Sequence, residues 1–286
     1  AACAIRIRQP ARALAGCLIL MAQAADAGTL DRVRETLTIK LGYRADAKPH
    51  SYRNDKGEPA GYAVDLCKEV ATAVIQTIGS AIKTEFVLVP AAQRFESVRD
   101  GKVDLLCDPS TITLARREMV DFSLPTFLDG ASVLYRNTKP VQRYEDLAGK
   151  RVGVLGGTTT ETTLRQSLAD LRINATVVVV NDHRAGVDML TGDRIDAYFA
   201  DRSIIAGLLY EGGRPGFTLG RQYFSYEMHA LALPRGDDAF RLLVDRTLSR
   251  IYRNGRIDGI LAKTFGDAST DEMLKTMFVI NSLPDK

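Results

Sequence analysis

Apolar residues recur along this chain in two periods, and the two alternate. Leu37–Leu41 reads as a strand, and Asn54–Gly57 carries turn chemistry. Tyr62, Leu66, Val70, Val74 and Ile78 then repeat at helical spacing and stop at Gly79. Glu85–Val89 is a strand, Phe95 and Val98 sit on a short helix ending near Gly101, and Val103–Leu106 is a buried strand. Strand and helix alternating in this way predict an α/β sheet with crossover helices.

A strand at Ser132–Tyr135 and the breaker Asn137–Pro140 precede a second series of the same kind. It runs through Arg151–Val154, a helix from about Thr158 to Leu168, the β-branched run Thr176–Val180, a helix from His183 to Leu190, and Ile195–Phe199. Another helix begins near Asp201. A strand at Ala230–Leu233, a long amphipathic helix over Asp237–Tyr252 and a last helix over Ser269–Met277 complete the pattern. The expected organisation is two α/β lobes, the first discontinuous (37–137 plus 230–286) and the second continuous (141–227). Two crossings between lobes make a hinge, and hinge closure around a ligand is a common device.

Composition narrows the class. The chain has 286 residues, 26% charged and 45% hydrophobic, which suits a globular protein with one or two cores. Net charge is +3 with Lys and Arg interleaved among Asp and Glu, so no basic patch for nucleic acid is expected. The N-terminus stands apart. Arg6, Arg8 and Arg12 precede the apolar run Ala13–Ala22, and small residues follow to Ala27. These are the parts of a secretory signal, expected over 1–27, and the apolar run is too short to span a bilayer. Leu14–Cys17 has a lipobox-like composition, but most of the apolar core follows Cys17 instead of preceding it, against lipidation. Outside that segment the cysteines are Cys67 and Cys107. They are either one disulfide of an exported protein or two buried thiols, and the bridge is the expectation. The three His residues, His50, His183 and His229, are isolated in sequence, and no His/Cys spacing suggests a metal or other cofactor.

In open α/β sheets ligands lie beyond the carboxyl ends of strands, so the loops there hold the candidate chemistry. Arg44 follows the first strand. Cys107–Thr113 offers the hydroxyls of Ser110 and Thr111, with Arg116 one turn into a helix, a set suited to a carboxylate. Gly156–Glu161 offers Thr158 and Thr159 at a second helix start, with capping-box spacing between Thr158 and Glu161. Asp182, His183 and Asp201 end the later strands, where an acidic side chain either pairs an ammonium group or caps a helix. Together these loops supply cations, hydroxyls and anions from both lobes. An amino-acid zwitterion needs that set, because each buried charge must be paired.

The chain also resembles the family 3 extracellular solute-binding proteins of ABC importers, from about Leu37 to Gly266. Gly61–Leu66 resembles that family's G-[FY]-x-V-D-L, Gly101–Arg116 its G-x-x-D…T-x-T-x-x-R, Val120–Ser123 its V-D-F-S, and Asp146–Thr159 its D-L-x-G-K-x-V-G…G-T-T. The resemblance implies a periplasmic-binding-protein-like type II fold of two lobes joined by a two-crossing hinge. It implies a monomeric periplasmic receptor that hands an amino acid to an inner-membrane permease, with no catalysis and no nucleic acid. By the same resemblance Arg116 grips the ligand α-carboxylate, helped by Thr111 and by Thr158 or Thr159, and Asp201 takes the ammonium. The family's stacking aromatic falls near Ala47 here, and Pro109 stands where Gly or Ser is usual. Gly42–Arg44 with Pro49 and Tyr52, the segment Cys107–Thr111, and Asp182–His183 are most similar to glutamate/aspartate-binding proteins. That likeness places Arg44 and His183 around an acidic side chain. Arg94 matches another arginine of that group. The alternatives are a cyclohexadienyl dehydratase-like enzyme on the same scaffold, which needs a poised acid or base in the cleft, and a ligand-sensing module for a membrane receptor.

Overall fold

The computed structural model describes residues 28–266 and 271–286. The expected signal segment 1–27, with Cys17, and the first residues of the expected last helix lie outside them. The first lobe begins with helix α1 (Thr29–Thr36) and strand β1 (Thr38–Tyr43). A small antiparallel sheet of β2 (Asp46–Ala47), β3 (Ser51–Arg53) and β4 (Pro59–Ala60) follows. Then come α2 (Tyr62–Ile78), β5 (Lys83–Leu88), α3 (Arg94–Arg99), β6 (Leu105–Thr111), the short α4 (Leu114–Arg117), β7 (Val120–Phe122) and β8 (Phe127–Asp129). Helix α2 ends where the periodicity predicts, because Gly79 takes a left-handed conformation (φ 74°) and its N–H caps Ile75.

The second lobe holds β9 (Ala131–Arg136), β10 (Arg151–Leu155), α5 (Thr159–Asp170), β11 (Thr176–Val180), α6 (His183–Thr191), β12 (Ala197–Asp201), α7 (Arg202–Gly212) and β13 (Phe217–Leu219). The chain then returns to the first lobe as β14 (Glu227–Pro234), α8 (Asp238–Arg253), α9 (Arg256–Phe265) and α10 (Glu272–Ile280).

Each lobe is built on its own sheet. The first has the order β5-β1-β6-β14-β7, with β8 also on β14, and the second β11-β10-β12-β9-β13. Both are mixed: β1, β5 and β6 are parallel, as are β10, β11 and β12, while β14 and β9 run antiparallel to their neighbours. The main first-lobe core packs α2, α8, α9 and α10 on one sheet face around Leu66, Val70, Val74, Phe240, Val244 and Leu261. Two clusters cover the two faces of the second sheet. Cys67 of α2 and Cys107 of β6 are joined by a disulfide, with Cα atoms 6.0 Å apart. Among the described residues no helix is long and apolar enough to cross a membrane.

The structure corrects two sequence expectations. Ser132–Tyr135, counted with the first lobe, pairs instead with β12 and β13 in the second sheet. The first crossing therefore falls at Gly130, not near 137. The structure buries Ala131–Tyr135 on both faces, and sequence pattern marks Ser132–Tyr135 as a strand but cannot name its partner. The crossings are tightly apposed at this point: a Cβ on Gly130 would stand 1.9 Å from the Ser225 carbonyl oxygen, so no side chain fits. Secondly, Cys107–Thr111, expected as a loop, continues β6 and pairs with β14. The register shift between Ala230 and Ala232 marks a β-bulge there, which accommodates Pro109 without the N–H a regular ladder would need.

Candidate ligand-binding cleft

The lobes meet over a small enclosed cavity lined by Arg44, Arg94, Pro109, Thr111, Arg116, Leu155, Thr158, Thr159, Thr160, His183, Phe199, Ala200, Asp201 and Ile204. Thus seven of the residues singled out by sequence (Arg44, Thr111, Arg116, Thr158, Thr159, His183 and Asp201) converge on one space, from β1, β6, α4, α5, α6 and β12 and the loops beside them. Ser110 is the exception. It is fully buried, and its hydroxyl donates to Asp108 Oδ1 at 2.5 Å. Alternation along β6 turns Ser110 away from the face that Pro109 and Thr111 present.

Three guanidiniums reach the cavity, each held differently. Asp46 takes Nε (3.0 Å) and Nη2 (2.8 and 2.9 Å) of Arg44, and Nη1 has no protein partner among the described residues. Arg94 is 4% exposed, bonds the carbonyls of Ala91 and Gly157, and stands 3.6 Å from Asp108. Burial lowers its pKa to about 10, so it stays cationic at neutral pH. Sequence alone gave Arg94 no role; a cation on a short helix reads as surface, and only packing against β6 turns it inward. Arg116 donates to the Thr111 carbonyl (2.8 Å), lies over the Phe95 ring, and has no carboxylate within 4 Å among the described residues. Its own backbone N–H is taken by Thr113, the helix cap.

The anionic side is Asp201 and Glu227. Of the two readings open for Asp201, helix capping fails, since its side chain makes no cap bond to α7. The carboxylate instead accepts from Thr160 (3.4 Å) and approaches His229 Nε2 at 3.6 Å. Burial, then repulsion from Glu227, raises its pKa to about 7. Asp182, by contrast, does cap α6, accepting from Ala185 N–H at 2.7 Å. His183 is buried, with Nδ1 2.9 Å from the Tyr198 hydroxyl; burial, with the charge of Arg44, drops its pKa to about 3 and keeps the ring neutral.

Glu227 is the residue that sequence reasoning missed. A lone acid opening a strand at the second crossing carries no motif. Its Oε2 accepts from Thr111 (2.5 Å) and Thr159 (2.6 Å), and its Oε1 from Ser225 (2.8 Å). Burial alone would raise the Glu227 pKa, but these hydroxyls bring it below the usual carboxylate range. A hydroxyl has one proton to donate. Those of Thr111 and Thr159 go to Glu227 and that of Thr158 to the Leu155 carbonyl (2.7 Å). The Thr158 side-chain oxygen also caps the Glu161 N–H (3.1 Å), so the closed cleft offers a carboxylate Arg116 and the N–H groups of Thr159 and Thr160 in the first turn of α5. The threonine hydroxyls face it with lone pairs. Glu161 completes the α5 start by accepting from Gly157 N–H (2.9 Å) instead of from Thr158, one residue beyond the expected box.

Contacts across the cleft hold it shut. Besides Thr111–Glu227–Thr159, they include Arg94 to the Gly157 carbonyl, the Asp46 carboxylate to His183 N–H (3.3 Å), Lys48 to Glu211 (3.1 Å), His50 to Ser203 (2.7 Å) and the Ser203 N–H to the Asp129 carboxylate (3.2 Å). Ala47 packs into a second-lobe core cluster. The cavity left is about 20 Å3, room for roughly one water molecule, so an amino acid enters only when the lobes part.

Two mixed sheets, two crossings and a charged cavity closed between lobes define a solute-binding protein of the periplasmic-binding-protein-like type II fold. The chain belongs to the bacterial extracellular solute-binding proteins, family 3, whose model matches residues 39–267. It is 32% identical over 241 residues (83% of this chain, 80% of the relative) to the L-glutamate/L-aspartate-binding protein of Pseudomonas aeruginosa. Among solved structures, the solute receptor for L-cysteine of Neisseria gonorrhoeae matches with TM-score 0.76 and 26% identity, covering 85% of this chain and 97% of that one. An ancestral amino acid-binding protein described as a precursor of cyclohexadienyl dehydratase matches with TM-score 0.74 and 25% identity, covering 83% and 99%. Its curated relatives are binding proteins, and this chain is a binding protein rather than an enzyme.

Proposed function

We propose that the protein is the periplasmic receptor of an ABC importer for an acidic amino acid, glutamate or aspartate. The observation that carries this reading is the convergence of Arg44, Arg94, Arg116, His183 and Asp201 on one interlobe cavity. In the proposed complex Arg116 and the α5 N-terminus meet the α-carboxylate, and Asp201 pairs the ammonium with the lone pairs of Thr111 and Thr159. Arg44 Nη1, Arg94 and neutral His183 face the side-chain carboxylate. Asp46 keeps the Arg44 plane fixed, which lowers the entropy lost on binding. The similarity to the glutamate/aspartate-binding relative supports the same ligand class. The receptor would act as a monomer, exported by the 1–27 signal, with a membrane permease as partner and no nucleic acid.

The mechanism is a population shift. Contacts from both lobes make the ligand bind the closed form better than the open one, and only that difference moves the equilibrium. The test is ligand discrimination in Arg44→Ala. Loss of a buried charge pair costs about 2–5 kcal/mol, so glutamate affinity should fall at least about 30-fold more than glutamine affinity. Equal losses for both ligands would remove Arg44 from the side-chain subsite.

A further inference from the structure

Behind Asp201, at the hinge, the fold gathers histidines that are far apart in sequence. His50 lies in the turn between β2 and β3, Asp129 ends β8, and His229 lies in β14. A ligating atom from each lies within 4.8 Å of the others, and the three residues are 1%, 4% and 1% exposed. His229 is the telling member: neither ring nitrogen has a hydrogen-bond partner among the described residues, and Nε2 points toward the Asp201 carboxylate. An orphaned buried donor or acceptor costs about 1–3 kcal/mol, so a native fold normally supplies it with a partner. Ser203 of α7 bridges the other two: its Oγ is 2.7 Å from His50 Nε2 and donates to Asp129 Oδ2. Asp201 and Glu227 form a second carboxylate pair within the same reach of His229.

We infer that His50, Asp129 and His229 form a binding site for a zinc-class divalent cation at the hinge of this receptor, separate from the amino-acid cavity. The donor chemistry selects the ion. Two imidazoles and one carboxylate suit zinc or cobalt, whereas calcium and magnesium take all-oxygen sets. Burial holds both rings neutral, the form that ligates. Asp129, Asp201 and Glu227 supply compensating negative charge. Asp129 and His229 stand on the paired hinge strands β8 and β14, so a bound ion ties both crossings to the first-lobe turn that carries His50.

The site stands or falls independently of which amino acid the cleft takes. The test uses the chain without any histidine tag, stripped with chelator, titrated with Zn2+ while the ring nitrogens of its three histidines are followed by 15N NMR. We expect one equivalent bound, with His50 and His229 shifted and His183 unmoved. His229→Gln and Asp129→Asn should each weaken zinc by at least about 100-fold. Wild-type spectra in which His50 and His229 do not move, or in which only His183 moves, overturn the proposal, and this readout needs no folded variant. Glutamate titration of the same stripped sample reports the cleft separately.

Discussion

Binding should depend on pH through Asp201, with a sign that follows from its burial. The pKa of this carboxyl is raised from 3.8 to about 7 in the ligand-free protein, by burial first and then by the charge of Glu227. Only the ionised form pairs an ammonium group. Affinity should therefore be full above pH 7 and fall as pH drops through 7, toward tenfold per unit. With a pKa of about 7 the ionised fraction is roughly 1% at pH 5 and about 90% at pH 8, so affinity should differ by on the order of 100-fold. A pKa of about 6 would still give roughly tenfold. The ligand side-chain carboxyl (pKa about 4.3 or below) stays mainly ionised across this range, and His183 is neutral throughout. Asp129 also titrates in the window, near 6, because burial and then Asp201 raise it. It bonds Ser203 and does not line the cavity, so Asp129→Asn should keep the pH dependence, displaced to lower pH by the lost repulsion on Asp201. The opposite sign holds for the ligand-free fold. A carboxyl raised on folding favours the folded state below its unfolded pKa, and that contribution is lost as pH rises through 7. Glutamate calorimetry at pH 5, 6, 7 and 8 on wild type and Asp201→Asn decides the matter. A wild-type profile flatter than threefold, or an Asp201→Asn profile as steep as wild type, would refute the assignment.

Other consequences are independent of that titration. Glu227→Gln removes the charge that three hydroxyls from both lobes and the crossing address; only the Thr159 bond joins the two lobes, and exchanging it from charge-assisted to neutral should cost about 1–2 kcal/mol of closure. The ligand-free variant should then scatter X-rays as a more open, larger particle, and an unchanged radius of gyration would contradict the latch. The Cys67–Cys107 bridge closes a loop of sequence separation 40, for which loop-closure entropy gives about 4 kcal/mol. Replacing both cysteines with serine should lower the denaturation midpoint accordingly, with unchanged stability arguing for a reduced pair in the wild type. Arg116→Ala, unlike Arg44→Ala, should weaken glutamate and glutamine alike, since both carry the α-carboxylate; a selective effect would exchange the two roles.

Much of this architecture was legible because it rests on local signals. The period of α2, the Gly79 stop and the β-branched run of β11 are written into short windows. So were most cleft residues, since post-strand loops follow from strand assignments. What stayed hidden depends on pairing between distant segments. Nothing near Ser132–Tyr135 states that its partners are β12 and β13. Pro109 reads as a loop residue until β14 and its bulge are known. Glu227 takes its meaning from Thr111 and Thr159, far away in sequence on either lobe. His50 and His229 look isolated along the chain, yet their ring centroids stand 5.9 Å apart.

The central claim is that this cleft selects an acidic amino acid, and parallel calorimetric titration of the ligand-stripped mature protein at pH 8 tests it most directly. Glutamate, aspartate, glutamine and arginine would each be added to the same preparation. The account predicts tight, saturable binding of glutamate or aspartate, with glutamine and arginine at least about 30-fold weaker. Equal or tighter binding of arginine or glutamine, or no heat from any of the four, would contradict it.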